Sequence, residues 1–119
     1  MMKFLRISGQ DKLKLPYSLR SNQQEIIDAI EKGLHSKNHI VIEAPTGSGK
    51  TFTSLASSLP FVINKSYKII YCVRTNSQQE QVIRELKAFK ESGNNFSVVA
   101  IQGRQSMCPQ QKDCLLYTS

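Results

Sequence analysis

The chain has 119 residues, 39% hydrophobic and 21% charged, enough for one domain with a modest core. No apolar run approaches the roughly 20 residues of a membrane-spanning helix. The start, Met1-Met2-Lys3-Phe4-Leu5-Arg6, also lacks the apolar stretch and small-residue cleavage site of a secretory signal, so an intracellular protein with no membrane partner is expected. Lys and Arg exceed Asp and Glu by 16 to 9, and the net charge of +7 suits a polyanionic partner as well as a plain solvated basic surface.

In chain order, Phe4, Leu5, Ile7, Leu13 and Leu15 around Gly9 predict a strand pair or an extended arm over residues 1–15. Residues 16–22 connect. Asn22 with Glu25 reads as a capping box, and Ile26, Ile27, Ile30 and Leu34 predict an amphipathic helix over about 23–35. His39-Ile40-Val41-Ile42 is a β-rich run without alternation, the pattern of a parallel strand covered on both faces. A Gly-rich turn follows, then a helix over 50–59 that stops before Pro60.

The pattern then repeats. Residues 68–73 predict a second strand, with Cys72 as a buried small hydrophobe. Ser77 and Glu80 predict the start of a helix whose inner face is Val82, Ile83, Leu86 and Phe89. A turn at 92–95 and a third strand over 96–101 complete an α/β fold with parallel strands, right-handed crossovers and ligands at the strands' carboxyl ends. The three cysteines, Cys72, Cys108 and Cys114, are an odd set and argue against a disulfide framework.

Ala44-Pro45-Thr46-Gly47-Ser48-Gly49-Lys50-Thr51 is a phosphate-binding loop with Ala in place of the first Gly. Gly47 and Gly49 permit positive φ, which turns backbone N–H groups into an anion nest, and the next helix aims its N-terminal dipole there. Lys50 can reach the outer phosphates, and the Thr51 hydroxyl can ligate Mg²⁺. Such a loop does not by itself choose among kinases, GTPases and motors.

Two further clusters narrow the choice. Arg20 and Gln23 precede the loop by more than 20 residues; Gln23 offers the donor and acceptor that read an adenine edge, and Tyr17 could pack on the base. A capped surface helix explains Arg20 and Gln23 equally well. Arg74-Thr75-Asn76-Ser77-Gln78 gathers a cation, two hydroxyls and two amides at a strand end and helix start, where a phosphodiester backbone would be gripped by Arg74, Thr75, Ser77 and Gln78. A purely local helix cap is the alternative.

These elements in this order resemble superfamily 2 helicases of the XPD/DinG type, most closely the archaeal-like XPD branch. The resemblance rests on 17–23, 42–51, 71–78 and Gln102-Gly103-Arg104-Gln105-Ser106-Met107-Cys108-Pro109, and covers about residues 13–109. It implies the N-terminal part of a RecA-like motor domain over 1–103 and the start of an iron–sulfur insertion over 104–119, with Cys108 as the first of four cluster ligands. It further implies ATP, Mg²⁺ and a four-iron, four-sulfur (4Fe-4S) cluster as cofactors, 5′-to-3′ unwinding in a repair-like setting, and single-stranded or fork DNA as partner. A cytoplasmic, nucleoid-associated location follows if the source is prokaryotic.

The sequence departs from that pattern in places. Ser21 stands where Pro is usual, and Cys114 follows Cys108 by only six residues. The last six residues, 114–119, resemble sequencing-adapter read-through, in which case Cys114 is not native. The Asp-Glu box and the second motor domain do not occur within these residues, so the 119 residues alone are expected to bind nucleotide weakly and not to turn it over. The rivals are a small P-loop phosphotransferase, which calls for a lid with catalytic arginines, and a non-enzymatic nucleotide or nucleic-acid binding module complete at Ser119, against which the unprotected edge of the third strand weighs.

Overall fold

The computed structural model describes residues 3–5 in backbone, and residues 13–45 and 47–103. The expected strand pair at the start is present: β1 (Lys3–Leu5) pairs antiparallel with β2 (Leu13–Leu15), Lys3 opposite Leu15 and Leu5 opposite Leu13. Three helices follow: α1 (Ser21–His35), α2 (Lys50–Lys65) and α3 (Asn76–Glu91).

Helix α2 is the centre of the core. It packs against α1, α3 and β2. Its Phe52, Leu55, Ala56 and Leu59 meet Leu13 and Leu15 of β2, Ile27 of α1, Val82 and Phe89 of α3, and Phe96. The Phe52 and Phe89 rings stack at 5.5 Å between centroids. Each large apolar side chain buried here contributes about 1.5–3 kcal/mol. A helix this enclosed must also bury hydroxyls, and it satisfies them locally: Thr53 donates to the Gly49 carbonyl (3.0 Å) and Ser57 to the Thr53 carbonyl (2.8 Å).

The helix continues past Pro60 to Lys65, where the sequence pattern predicts a stop. A proline inside a helix costs about 3 kcal/mol through the lost hydrogen bond and ring clash. Leu59 and Phe61 on either side are buried, and their burial offsets that cost. The helix ends instead at Ser66, in the left-handed region, with the Tyr67 N–H returning to the Phe61 carbonyl at 3.1 Å.

Both other helices start earlier than the sequence suggests. Helix α1 is flanked by Arg20, not Asn22, and the Gln23 side chain, not Glu25, accepts the Arg20 N–H (2.9 Å). Helix α3 is capped by Thr75, not Ser77, with Gln78 rather than Glu80 as its reciprocal partner. The turn after α3 is as expected: Gly93 sits at φ 104°, and the Asn94 amide clasps β2, accepting from the Lys14 N–H (3.0 Å) and donating to the Lys14 carbonyl (2.7 Å).

The three apolar runs differ most from expectation. Residues 39–45, 68–73 and 96–103 carry no regular secondary structure, and among the described residues none is hydrogen-bonded into a ladder. Nor is the first run covered on both faces, since Val41 is 96% exposed. Along 96–101, Phe96 and Ala100 are buried while Val99 and Ile101 are exposed, and Ile70 in the second run is 89% exposed. Only the third run alternates buried with exposed residues; every residue of 68–73 is exposed. Cys72, two residues from Ile70, is exposed with the rest of its run and is not the buried hydrophobe expected. Hydrophobic runs report β propensity, whereas a ladder needs a neighbour at the right distance, which is a tertiary matter.

Candidate functional site

The glycine-rich loop joins residues 39–45 to α2. Gly47 at φ 81° and Gly49 at φ 77° both occupy the left-handed region, as the nest geometry requires. Lys50 and Thr51 open α2, so their N–H groups have no partner within the helix and stand at its positive end. Lys50 is exposed and Thr51 half-buried. The Ser48 hydroxyl is buried in this loop without a hydrogen-bond partner. A loop with two left-handed glycines, an exposed ammonium and an orphaned buried hydroxyl fits a phosphate-bearing ligand. Ala44 is half-buried and Pro45 exposed, its carbonyl accepting the Ser48 N–H at 3.2 Å; Thr46 lies outside the described residues.

The upstream cluster is joined to this loop. The Arg20 guanidinium donates to the Gly47 carbonyl (3.1 Å), and the Gln23 amide donates to the Ser48 carbonyl (3.4 Å). In a trans peptide the N–H points opposite the C=O. Holding the Ser48 carbonyl toward α1 therefore aims the Gly49 N–H the other way. Gln23 is 5% exposed, and both ends of its amide are engaged, one on the Arg20 N–H and one on the loop. Gly49 leaves it no spare room: a Cβ there would lie 2.5 Å from the Gln23 amide nitrogen. Gly33 serves the approach to the loop, since a Cβ there would lie 2.6 Å from the Ile40 side chain. Tyr17 is half exposed, with its ring 5.4 Å from that of Phe52 on α2. Burial, then the carboxylates of Glu85 and Glu91, push its phenol up.

Arg74, Thr75, Ser77 and Gln78 are all exposed around the start of α3. Gln78 accepts from the Arg74 N–H (3.0 Å) and the Thr75 N–H (3.3 Å), while Thr75 accepts from the Gln78 N–H (3.2 Å). This box fixes the turn and leaves the Arg74 guanidinium and Ser77 hydroxyl at a helix N-terminus.

The two clusters share a wall. A groove of about 360 Å³ is lined by Thr51 on one side and by Tyr71, Arg74, Gln78 and Gln81 on the other. Sequence reasoning missed Gln81 and Tyr71. Gln81 was recoverable, being three residues on from Gln78 on the same helix face. Tyr71 and its bond to Ser54 (3.1 Å) had no signal beyond an apolar run. Cys108 and Cys114 lie outside the described residues, and among the described ones no three His, Cys, Asp or Glu side chains group as metal ligands. No described helix is long and apolar enough to cross a membrane.

Comparison with known proteins follows these motifs. The family model for the type III restriction enzyme, res subunit, matches residues 16–118. The chain is 32% identical over 90 residues to the ATP-dependent DNA helicase XPD of Sulfolobus acidocaldarius, covering 76% of this chain and 15% of that protein. It is 35% identical over 97 residues to the ATP-dependent DNA helicase YoaA of Haemophilus influenzae (79% and 14%). It is 31% identical over 91 residues to the ATP-dependent DNA helicase DinG of Photobacterium profundum (74% and 13%). The chain thus spans about a seventh of the length of these relatives. No solved structure matches it. The family implies a RecA-like P-loop fold, and the chain belongs to it as part of a superfamily 2 helicase of the XPD/DinG type.

Proposed function

We propose that these residues are the ATP-binding front of an ATP-dependent DNA helicase, of the 5′-to-3′ iron–sulfur type, acting on single-stranded and fork DNA inside the cell. The observation that carries the reading is the clasp of Arg20 and Gln23 on the outer carbonyls of the phosphate loop. The clasp supports nucleotide binding because it sets the loop's donors before the phosphates arrive, so binding carries no reorganisation cost there. Lys50 draws off charge as the terminal phosphoryl group leaves, and the Thr51 hydroxyl holds Mg²⁺, which neutralises phosphate charge when bound. Gln23 keeps a second amide hydrogen and a second lone pair, besides its clasp bonds, for the adenine edge, and Tyr17 flanks the base.

Arg74, Thr75, Ser77 and Gln78 hold the DNA backbone through charge, hydroxyls and the α3 dipole, which positions DNA without reading its sequence. In this reading 39–42, 68–73 and 96–101 are strands of the motor's parallel sheet, residues 1–103 belong to the first motor domain, and 104–119 open the iron–sulfur insertion. Cys108 is then the first cluster thiolate; it lies outside the described residues, and the ATP chemistry above does not depend on it. The small phosphotransferase and the binding-only module have no specific observation in their favour.

The test is ATP hydrolysis by the full-length protein with and without single-stranded DNA. DNA-stimulated turnover is expected, and Lys50→Ala should lower it by more than about 100-fold, the usual scale for losing a transition-state charge contact. Near-normal turnover by the variant at saturating ATP would overturn the assignment.

A further inference from the structure

We propose that the hydroxyls of Tyr71 and Ser54 form a positioning link through which the ATP-binding helix and the Arg74–Gln78 turn bias one another. It rests on the reading above, in which the first binds nucleotide and the second DNA.

Ser54 lies one turn beyond Thr51 on α2 and donates to the Thr51 carbonyl at 2.9 Å. The same oxygen is 3.1 Å from the Tyr71 hydroxyl. Either hydroxyl can donate in this pair. Tyr71 is three residues before Arg74, in the run that feeds directly into Thr75, the cap of α3. Thr51, Tyr71, Arg74 and Gln78 also line one groove, which places the two ends of the link across a single cavity.

A displacement of the first turn of α2 when phosphates settle on Lys50 and Thr51 therefore reaches Arg74 through Thr51, Ser54 and Tyr71 in sequence. The reverse displacement follows DNA binding at the turn. Coupling of this kind is reciprocal: the factor by which DNA changes nucleotide affinity equals the factor by which nucleotide changes DNA affinity. Ser54, which does not line the groove, touches neither ligand in this scheme.

The experiment uses the full-length protein and measures nucleotide affinity with and without saturating single-stranded DNA, and the reciprocal pair. Tyr71→Phe keeps the ring and deletes only the hydroxyl; Ser54→Ala deletes the other partner. Each should lower the coupling factor by about 2- to 10-fold, the range for losing one neutral hydrogen bond. The double variant should lose no more than either single one, because both remove the same link. Nucleotide affinity of Ser54→Ala without DNA should stay within about 2-fold of the parent, as expected when no contact to the ligand is lost. A parent-like coupling factor in both single variants, or additive losses in the double, would overturn the proposal while leaving the helicase reading intact. A parent protein whose nucleotide affinity ignores DNA would overturn both.

Discussion

Two turns in this molecule are built with the same device and put to different use. At the start of α1, Gln23 accepts the N–H of Arg20, three residues earlier; at the start of α3, Gln78 accepts the N–H groups of Arg74 and Thr75. Gln23 is buried and its amide reaches a carbonyl 25 residues away, so the first turn is locked to the phosphate loop. Gln78 is exposed and its bonds are local. The difference teaches what each turn is for. A helix start that spends its polar groups on the protein preorganises a neighbour, whereas one that leaves a cation and a hydroxyl in solvent is available to an outside anion.

The comparison breaks most visibly at Gly49. An alanine there must adopt φ near 77°, at a cost of about 1–2 kcal/mol, and its Cβ displaces the Gln23 amide. Nucleotide affinity of full-length Gly49→Ala is expected to fall at least about 5-fold, the equivalent of the lower end of that strain. Gly47→Ala, where a Cβ meets nothing within 4 Å, carries only the strain and should lose less. Equal losses in the two variants, measured by titration, would show that the clasp adds nothing to the loop.

At the open turn the expected effect is smaller and differs in kind. Arg74→Ala should weaken single-stranded DNA binding to a similar degree on every sequence and lower the salt slope by about one, the signature of one lost phosphate contact. Affinity titrated against salt on several oligonucleotides measures this, and an unchanged slope removes Arg74 from the interface.

The smallest effect concerns α1, which carries the clasp. Burial, with a minor contribution from Asp28, pushes the Glu31 carboxyl up to about 7 from 4.5, and one of its oxygens is buried without a partner. The folded state then holds a proton that the unfolded chain has released. Stability should therefore fall as pH rises from about 4.5 through about 7 and level off above. Glu31→Gln should flatten this part of the profile of Tm against pH; an identical slope in the variant would assign it to other groups.

How much was legible follows from which residues speak locally. Ile26, Ile27, Ile30 and Leu34 recur at helical spacing, and Ile27 and Ile30 are buried on the inner face of α1. Val82, Ile83 and Phe89 do the same for α3. The helix starts were displaced because Ser77 and Asn22 are adequate caps by type, while Thr75 and Arg20 have the extended backbone a cap needs. Pro60 reads as a stop in isolation, and only the buried neighbours on either side overrule it.

The sequence by itself determined the backbone of the glycine-rich loop before α2, because that geometry is local: two glycines that can take positive φ and a helix to follow. It determined equally the three helices and the polar set at the start of α3. The tertiary structure alone decided that Arg20 and Gln23 face the loop, that Thr51 and Arg74 share a groove, and that Ser54 meets Tyr71. Those relations join residues 17 to 27 apart in the chain, and which side chains meet over such a separation depends on how α2 packs between its neighbours, not on any residue's own preference.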